Sequence, residues 1–275
     1  MSTNKPLPSL DDLLTGMGVA GSRICEIDAS EAGAGNMSVL IGWEVDLRGF
    51  FPAQQRIDLP LPAPSLAGHT LLVTGSGRRL RQIGTDPLGN VGAVRVHDGG
   101  RTATLHTAPR RLFDKLTSEL NSHLAVHDDQ VSRQGLHFQA IVHAQPPHLT
   151  YLSHIPTYRN TGVLNRRILR WEPETIISLP QGVGVLDFMM PGSPELMAAN
   201  VDGLRIFDVV LWSKHGVMAR SDHSITRAVD LIEYAETAAR YEYMNLIAGS
   251  PAEGLTADEV KQIAATFGVT SPWID

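Results

Sequence analysis

Two hydrophobic periods alternate along the chain, and the switches between them outline its elements. In "SLDDLLTGMGVAGSRI", Leu10, Leu13, Leu14 and Met17 recur at helical spacing, with Ser9 and Asp12 placed as a capping box. "SEAGAGN" breaks that helix, and "MSVLIGWEV" predicts a strand. "FFPAQQRIDLPLPAPSLAG" carries four prolines, which bars it from a central strand, so residues 49–68 are expected to form a surface insertion. "HTLLVTG", "GAVRV" and "TATLHT" follow as strands between Gly- and Asp-rich turns. "TSELNSHLAVHDD" predicts a helix with Thr117 or Ser118 as its N-cap. "QAIVHA" reads as a strand, Pro146 as a helix start and "VLNRRILRW" as helical; "TIISLP" and "FDVVLWSKHG" read as further strands. The longest helix is "SITRAVDLIEYAETAARYEYMNLI", which buries Ile225, Val229, Ile232, Ala235 and Ala239. A last helix, "TADEVKQIAATFG", has a Thr256/Glu259 capping box and a Gly268 stop.

Strands and helices alternate irregularly, with hairpin-like turns in the middle of the chain. That order predicts an α/β fold in which helices cover both faces of a mainly antiparallel sheet, rather than a doubly wound parallel one. At 275 residues the chain can bury one substantial core. The first helix and strand are too small to bury a core alone, so a single domain over 1–275 is expected. Composition then removes function classes. The net charge of −6 argues against a dedicated nucleic-acid binder. No apolar run approaches the ~20 residues that span a bilayer. "MSTNKPLPSLDDLL" lacks a basic segment followed by an apolar one, and the single cysteine, Cys25, allows no intrachain disulfide. A cytoplasmic protein is the expectation.

Four polar clusters carry candidate chemistry. "VTGSGRRL" sets a Gly-rich turn after a strand, where backbone N–H groups and the Ser76 hydroxyl could cradle an anion; a plain tight turn fits the motif equally well. In "LTSELNSH", Thr117 and Ser118 stand where a helix N-terminus attracts phosphate, and Glu119 falls in the first turn, a position that also suits simple capping. "QAIVHAQPPH" ends a strand in His143 with Gln145 two residues on, half of a workable metal site or an ordinary structural histidine. "VVLWSKHGVM" ends a second strand near His215. Two strands that each deliver a histidine at the same kind of boundary make a metal site worth testing.

In their order, "VTGSGRRLRQIGTDPLGNVGAVRV", "TSELNSH", "IVHA", "LPQGVGVLDFMMPGSPE", "LWSKHGV" and "VDLIEYAETAA" resemble the class II aldolase/adducin family over most of the chain. They most resemble its branch that cleaves rhamnulose 1-phosphate. The resemblance implies a three-layer α/β/α fold around an antiparallel sheet, a homotetramer, and one divalent metal ion per subunit, usually zinc. It implies metal ligation by His143 and His215, and acid/base catalysis by Glu119. It places the substrate phosphate on Asn36, Ser76, Gly77 and Ser118, with Arg78 beside them, and sets Glu174 where an acid reaches a neighbouring subunit's site. The activity implied is retro-aldol cleavage of a phosphorylated ketose to dihydroxyacetone phosphate and an aldehyde through a metal-stabilised enediolate. A decarboxylase or epimerase sharing that intermediate, and a non-catalytic adducin-like protein, are the alternatives. Retention of Glu119, both strand-end histidines and the TGSG turn argues against the last.

Two departures from the family pattern alter the expectation. The metal motif His-x-His is here His143-Ala144-Gln145, and the branch's Asn-Gly-Gly-Asn is Gly33-Ala34-Gly35-Asn36. Gln145 as third ligand leaves the formal charge unchanged but binds more weakly, and shifts preference from zinc towards manganese or cobalt. His148, three residues further on and on the same helix face, is a second candidate for that position; His154 is expected to face elsewhere.

Overall fold

The structure, a computed structural model, describes residues 7–273. Its strands are β1 (Asn36–Ile41), β2 (Ala53–Asp58), β3 (Thr70–Thr74), β4 (Val91–Val96), β5 (Thr102–Thr107), β6 (Phe138–Ala144), β7 (Val183–Leu186), β8 (Val209–Trp212) and β9 (Gly216–Ser221). They form one sheet in the order β2-β5-β4-β3-β1-β6-β9-β8-β7. Every neighbouring pair is antiparallel except β7 and β8. The helices are α1 (Leu10–Glu26), α2 (Pro87–Asn90), α3 (Leu120–Gln134), α4 (Pro147–Leu152), α5 (Thr161–Ile168), α6 (Pro173–Ser178), α7 (Pro194–Leu204), α8 (Ile225–Ile247) and α9 (Ala257–Phe267).

The central strands are buried on both faces, so their sequences read as continuous apolar runs. Met37, Val39 and Ile41 of β1 pack on one side with Leu14 and Met17 of α1 and with Val229 and Ile232 of α8. Leu40, on the opposite side, meets Leu71, Val73 and Leu124 of α3. Further along that side, Ile141, Val210 and Met218 meet Leu196 and Leu204 of α7. The expected helix–sheet–helix layering and mainly antiparallel sheet are both present. Both capping boxes form as the sequence predicts, at Ser9/Asp12 and Thr256/Glu259, and Gly268 ends α9 in the left-handed conformation.

Three expectations are corrected. The Pro-rich stretch is not all excursion, for it supplies β2, an edge strand paired with β5 from Ala53↔Thr107 to Asp58↔Thr102. Pro52 and Pro60 flank that strand and leave its ladder donors intact. "TIISLP" falls largely in helix α6, because Pro173 fixes the first helical position and the β-branched run continues from it. Neither Thr117 nor Ser118 caps α3. Its N-cap is Glu119 with no side-chain cap, while Thr117 N–H donates to Thr74 O (3.0 Å) and Ser76 N–H to Lys115 O (2.8 Å). The segment before α3 is therefore laid against the turn after β3. Among the described residues, no helix is long and apolar enough to cross a membrane.

Candidate metal centre and phosphate turn

The register of the sheet brings the candidate residues together. Asn36 opens β1 directly opposite His143 near the end of β6. β9 pairs with the same end of β6, Ala144↔Val217. The β8–β9 turn, with Lys214 at φ 67, carries His215. Gly216 permits this approach: a Cβ there would stand 2.4 Å from Ala144 O. Glu119 enters from the start of α3 and is only 4% exposed.

One ligand atom each from Glu119, His143 and His215 lies within 4.8 Å of the others, and this is the metal-competent His/Cys/Asp/Glu group found among the described residues. His143 Nε2 stands 3.7 Å from Glu119 Oε2. His143 Nδ1 donates to Val217 O at 2.8 Å, which leaves Nε2 unprotonated for a cation, the outer hydrogen bond usual for a ligating histidine. Its ring stacks on Trp212 at 4.4 Å between centroids. Burial first, and the neighbouring His143 second, hold the His215 imidazole below its ordinary pKa against the opposing pull of Glu119 and Glu31. Neutral imidazole is the ligating form. His215 Nδ1 is moreover buried without a hydrogen-bond partner. An orphaned ring nitrogen, a second oriented imidazole and a carboxylate fit a divalent cation.

Gln145 lines the same cavity. With its amide nitrogen towards Glu31, it donates to Oε2 at 3.1 Å and Oε1 at 2.6 Å, and only this orientation suits its neighbours. The carboxamide oxygen is then free of the Glu31 carboxylate. His148 is engaged elsewhere: its Nδ1 and its backbone N–H lie 2.6 and 3.0 Å from Glu236 Oε1. Glu236 also receives Leu149 N–H at 2.9 Å, so this carboxylate holds the start of α4. His148 does not supply the third ligand, and His154 is exposed.

Asn36, Ser76, Gly77 and Ser118 all line this cavity of about 170 Å³, beside Glu119 and the two histidines. Asn36 is partly committed already, since its Nδ2 donates to Glu119 Oε2 at 2.8 Å and its Oδ1 faces His123 Nε2 at 2.5 Å. One amide hydrogen remains for a substrate. Gly33 replaces the branch's asparagine where the two loops touch; a Cβ there would sit 3.1 Å from Gly77 O. Arg78 is turned away, donating to Asn90 Oδ1 (3.0 Å), Leu112 O (2.6 Å) and Gln82 Oε1 (3.3 Å). Among the described residues, the cavity lining contains no lysine or arginine, so an anion there meets neutral donors. Glu174 is exposed in the first turn of α6 and is not among the lining residues. A larger groove of about 630 Å³ runs between α1 and α8, but its charges are carboxylates and arginines without a ligand cluster, so the chemistry belongs to the smaller cavity.

Sequence reasoning missed His123, His127, Ser38 and Gln139, which stand behind Glu119, and Glu31 beside Gln145. The two histidines are four apart in "HLAVH", which a helical reading places on one face. Nothing local in the sequence marks Glu31.

Comparison with known proteins identifies relatives over most of the chain. The family model described as Class II Aldolase and Adducin N-terminal domain matches residues 19–243. Rhamnulose-1-phosphate aldolase of Klebsiella pneumoniae is 30% identical over 244 residues, 87% of each chain. That of Escherichia fergusonii is 30% identical over 245 residues, 87% of this chain and 88% of the relative. A sugar-phosphate aldolase from Thermotoga maritima superposes with a TM-score of 0.73 at 27% identity, covering 87% of this chain and 97% of that one. The chain belongs to the class II aldolase and adducin family, and it is a lyase of that family.

Proposed function

We propose that the protein is a divalent-metal-dependent aldolase that cleaves a ketose 1-phosphate of the rhamnulose 1-phosphate kind into dihydroxyacetone phosphate and an aldehyde. The observation that carries this reading is one cavity holding a carboxylate, two metal-competent imidazoles and the Gly-Ser-Gly turn. His143 and His215 would hold the ion, with Glu119 within reach and the Gln145 oxygen as a weak third donor; zinc is the first expectation, with manganese or cobalt favoured by that oxygen. A cation bound there supplies Lewis-acid stabilisation of the negative charge that builds on a carbonyl oxygen. Ser76, Gly77 and Ser118 hold the phosphate by hydroxyl and backbone donors, and Asn36 adds its remaining amide hydrogen. Glu119, at the back of the same cavity, takes the proton from the reacting carbon of dihydroxyacetone phosphate and returns it in cleavage. Fixing the phosphate sets that carbon against the carboxylate, the positioning that makes the proton transfer effectively unimolecular. Glu174, exposed on α6, is free to reach a neighbouring subunit's cavity in a homotetramer.

The direct test is exchange of the substrate's C–H proton. Metal-loaded protein incubated with dihydroxyacetone phosphate in deuterated buffer is expected to wash out one carbon-bound proton, followed by NMR, and chelation is expected to stop it. This requires no knowledge of the aldehyde. A second reading, decarboxylation or epimerisation of a sugar acid or its phosphate, draws on the lack of a cationic side chain among the described lining residues and on the amide lost at Gly33. One lost hydrogen bond to a charged group is worth roughly 1.5–3 kcal/mol. No exchange with dihydroxyacetone phosphate, together with turnover of a keto- or hydroxy-acid phosphate, would replace the aldolase reading by this one.

Gln145→His is expected to tighten zinc binding by at least roughly tenfold, because imidazole is the stronger and softer ligand. The dissociation constant from competition with a chromophoric chelator measures it. An unchanged constant would remove Gln145 from the site.

A further inference from the structure

Six buried side chains form an unbroken hydrogen-bonded file that starts at the Glu119 carboxylate and runs into the protein. Asn36 Nδ2 donates to Glu119 Oε2 (2.8 Å), and His123 Nε2 lies 2.5 Å from Asn36 Oδ1. Ser38 Oγ sits between His123 Nδ1 (2.7 Å) and His127 Nε2 (2.8 Å). The Gln139 carboxamide ends the file, with its Oε1 placed 2.7 Å from His127 Nδ1. None of the six is more than 8% exposed. The file exists because two periods run in step. Asn36 and Ser38 are two residues apart on β1, about 6.8 Å; His123 and His127 are four apart on α3, about 6 Å. The helix thus interleaves its imidazoles with the polar pair of the strand, and Gln139 reaches in from β6, where it pairs with Leu40.

A neutral imidazole offers one N–H and one lone pair, so it passes on the direction of a hydrogen bond. Burial keeps both rings neutral: it pushes His127 down to about 3, and with His127 and His143 nearby it holds His123 well below its ordinary value. An ionised carboxylate only accepts. Asn36 must therefore give Glu119 its amide nitrogen and His123 its oxygen, and His123 Nε2 carries the hydrogen. His123 Nδ1 then accepts from the Ser38 hydroxyl, Ser38 Oγ accepts from His127 Nε2–H, and His127 Nδ1 accepts from the Gln139 amide nitrogen. This last bond requires the Gln139 oxygen and nitrogen to exchange places: as placed, Oε1 faces His127 Nδ1 and the amide nitrogen is buried with no partner. An orphaned buried N–H is the costlier defect, so the same orientation is favoured from both ends. One charge fixes the direction of five hydrogen bonds.

We propose that Ser38, His123, His127 and Gln139 are positioning residues for Glu119, a one-directional relay of donors that holds Oε2 in place and fixes both imidazoles as Nε2–H tautomers. The proposal rests on Glu119 being the proton-transferring group of the preceding section. Without the relay, Asn36 is free to rotate, and the carboxylate loses the donor that sets its aim at the reacting carbon. His123 and His127 never meet the substrate; they act through Asn36.

The tautomers are read directly from long-range proton–nitrogen NMR correlations of metal-loaded protein labelled with 15N-histidine. Two non-titrating rings protonated at Nε2 are expected throughout the neutral pH range. Ser38→Ala cuts the file between the imidazoles. It is expected to slow dihydroxyacetone phosphate exchange roughly tenfold, the low end of the ~10–100-fold cost of removing outer-shell partners. Metal affinity should stay within about twofold, since neither imidazole ligand is touched, and half-saturation should change far less than the rate, since Ser76, Gly77 and Ser118 keep their places and only Asn36 is loosened. Ser38→Thr keeps the hydroxyl and is expected to restore both the rate and the His127 signature. Gln139→Met, which removes only the last donor, is expected to disturb the His127 tautomer and gives an independent reading if the serine variants do not fold. An Nδ1–H ring at either histidine in the unaltered protein, wild-type exchange in Ser38→Ala, or an undisturbed His127 in Gln139→Met overturns the relay. The tautomers are observed without turnover, so this failure is distinct from that of Glu119 as proton carrier, which Glu119→Gln exposes.

Discussion

Glu119→Gln is expected to slow proton exchange on dihydroxyacetone phosphate by ~10²–10⁴-fold, the usual cost of losing a general acid–base group. The substitution keeps the shape of a side chain that is only 4% exposed, so packing around it changes little. Its carboxamide oxygen can still accept from Asn36 Nδ2, which now stands 2.8 Å from the carboxylate. What the amide cannot do is carry a proton between the substrate carbon and the protein. His143 and His215 remain to hold the ion, so metal content is expected to fall far less than the rate. The measurement is the exchange rate at saturating substrate with metal content determined on the same sample. A variant within a few-fold of the parent would make Glu119 an ordinary residue at the start of α3, placed there for the helix dipole.

How far such a site could be read from the sequence follows from the range of the forces that build it. The boxes at Ser9/Asp12 and Thr256/Glu259 are local, each made by residues three apart, and both formed as predicted. The strand-end histidines were legible because an apolar run that stops at a polar residue marks the rim of a sheet, where β1, β6 and β9 place His143 opposite Asn36 and close to His215. "TIISLP" misled because β-branched residues favour strands while Pro173 starts a helix, and the local proline prevailed. Strands β7 and β9 and helix α7 were not singled out as elements at all. β7 and β8 pair in parallel with α7 between them, a connection that depends on packing and leaves no short-range signature. Behind Glu119, the strand periodicity of Asn36 and Ser38 and the helical periodicity of His123 and His127 are each visible alone. Their interleaving appears only when α3 lies on β1.

Removing one imidazole tests the metal centre most severely. Protein purified without chelator is expected to carry ~1 divalent ion per chain, and His215→Ala is expected to lose nearly all of it. The reason is the poverty of the donor set. With Gln145 in place of the second motif histidine, His143 and His215 are the two imidazoles left to hold the ion, and no neighbouring imidazole can compensate, because His148 is bound to Glu236. His215 is also the cleaner of the two histidines to remove. His143 stacks on Trp212 at 4.4 Å and bonds Val217 O, so its loss would disturb packing as well as ligation. His215 Nδ1 has no hydrogen-bond partner to lose. Elemental analysis of His143→Ala and His215→Ala, each compared with the parent and checked for folding by circular dichroism, decides the matter. Full metal retention in both variants would mean that the ion lies elsewhere and that the strand-end histidines are structural. Loss in His215→Ala with the fold intact would leave Glu119, His143 and Gln145 as a half-site too weak to hold an ion, as expected for a centre that has already given up one imidazole.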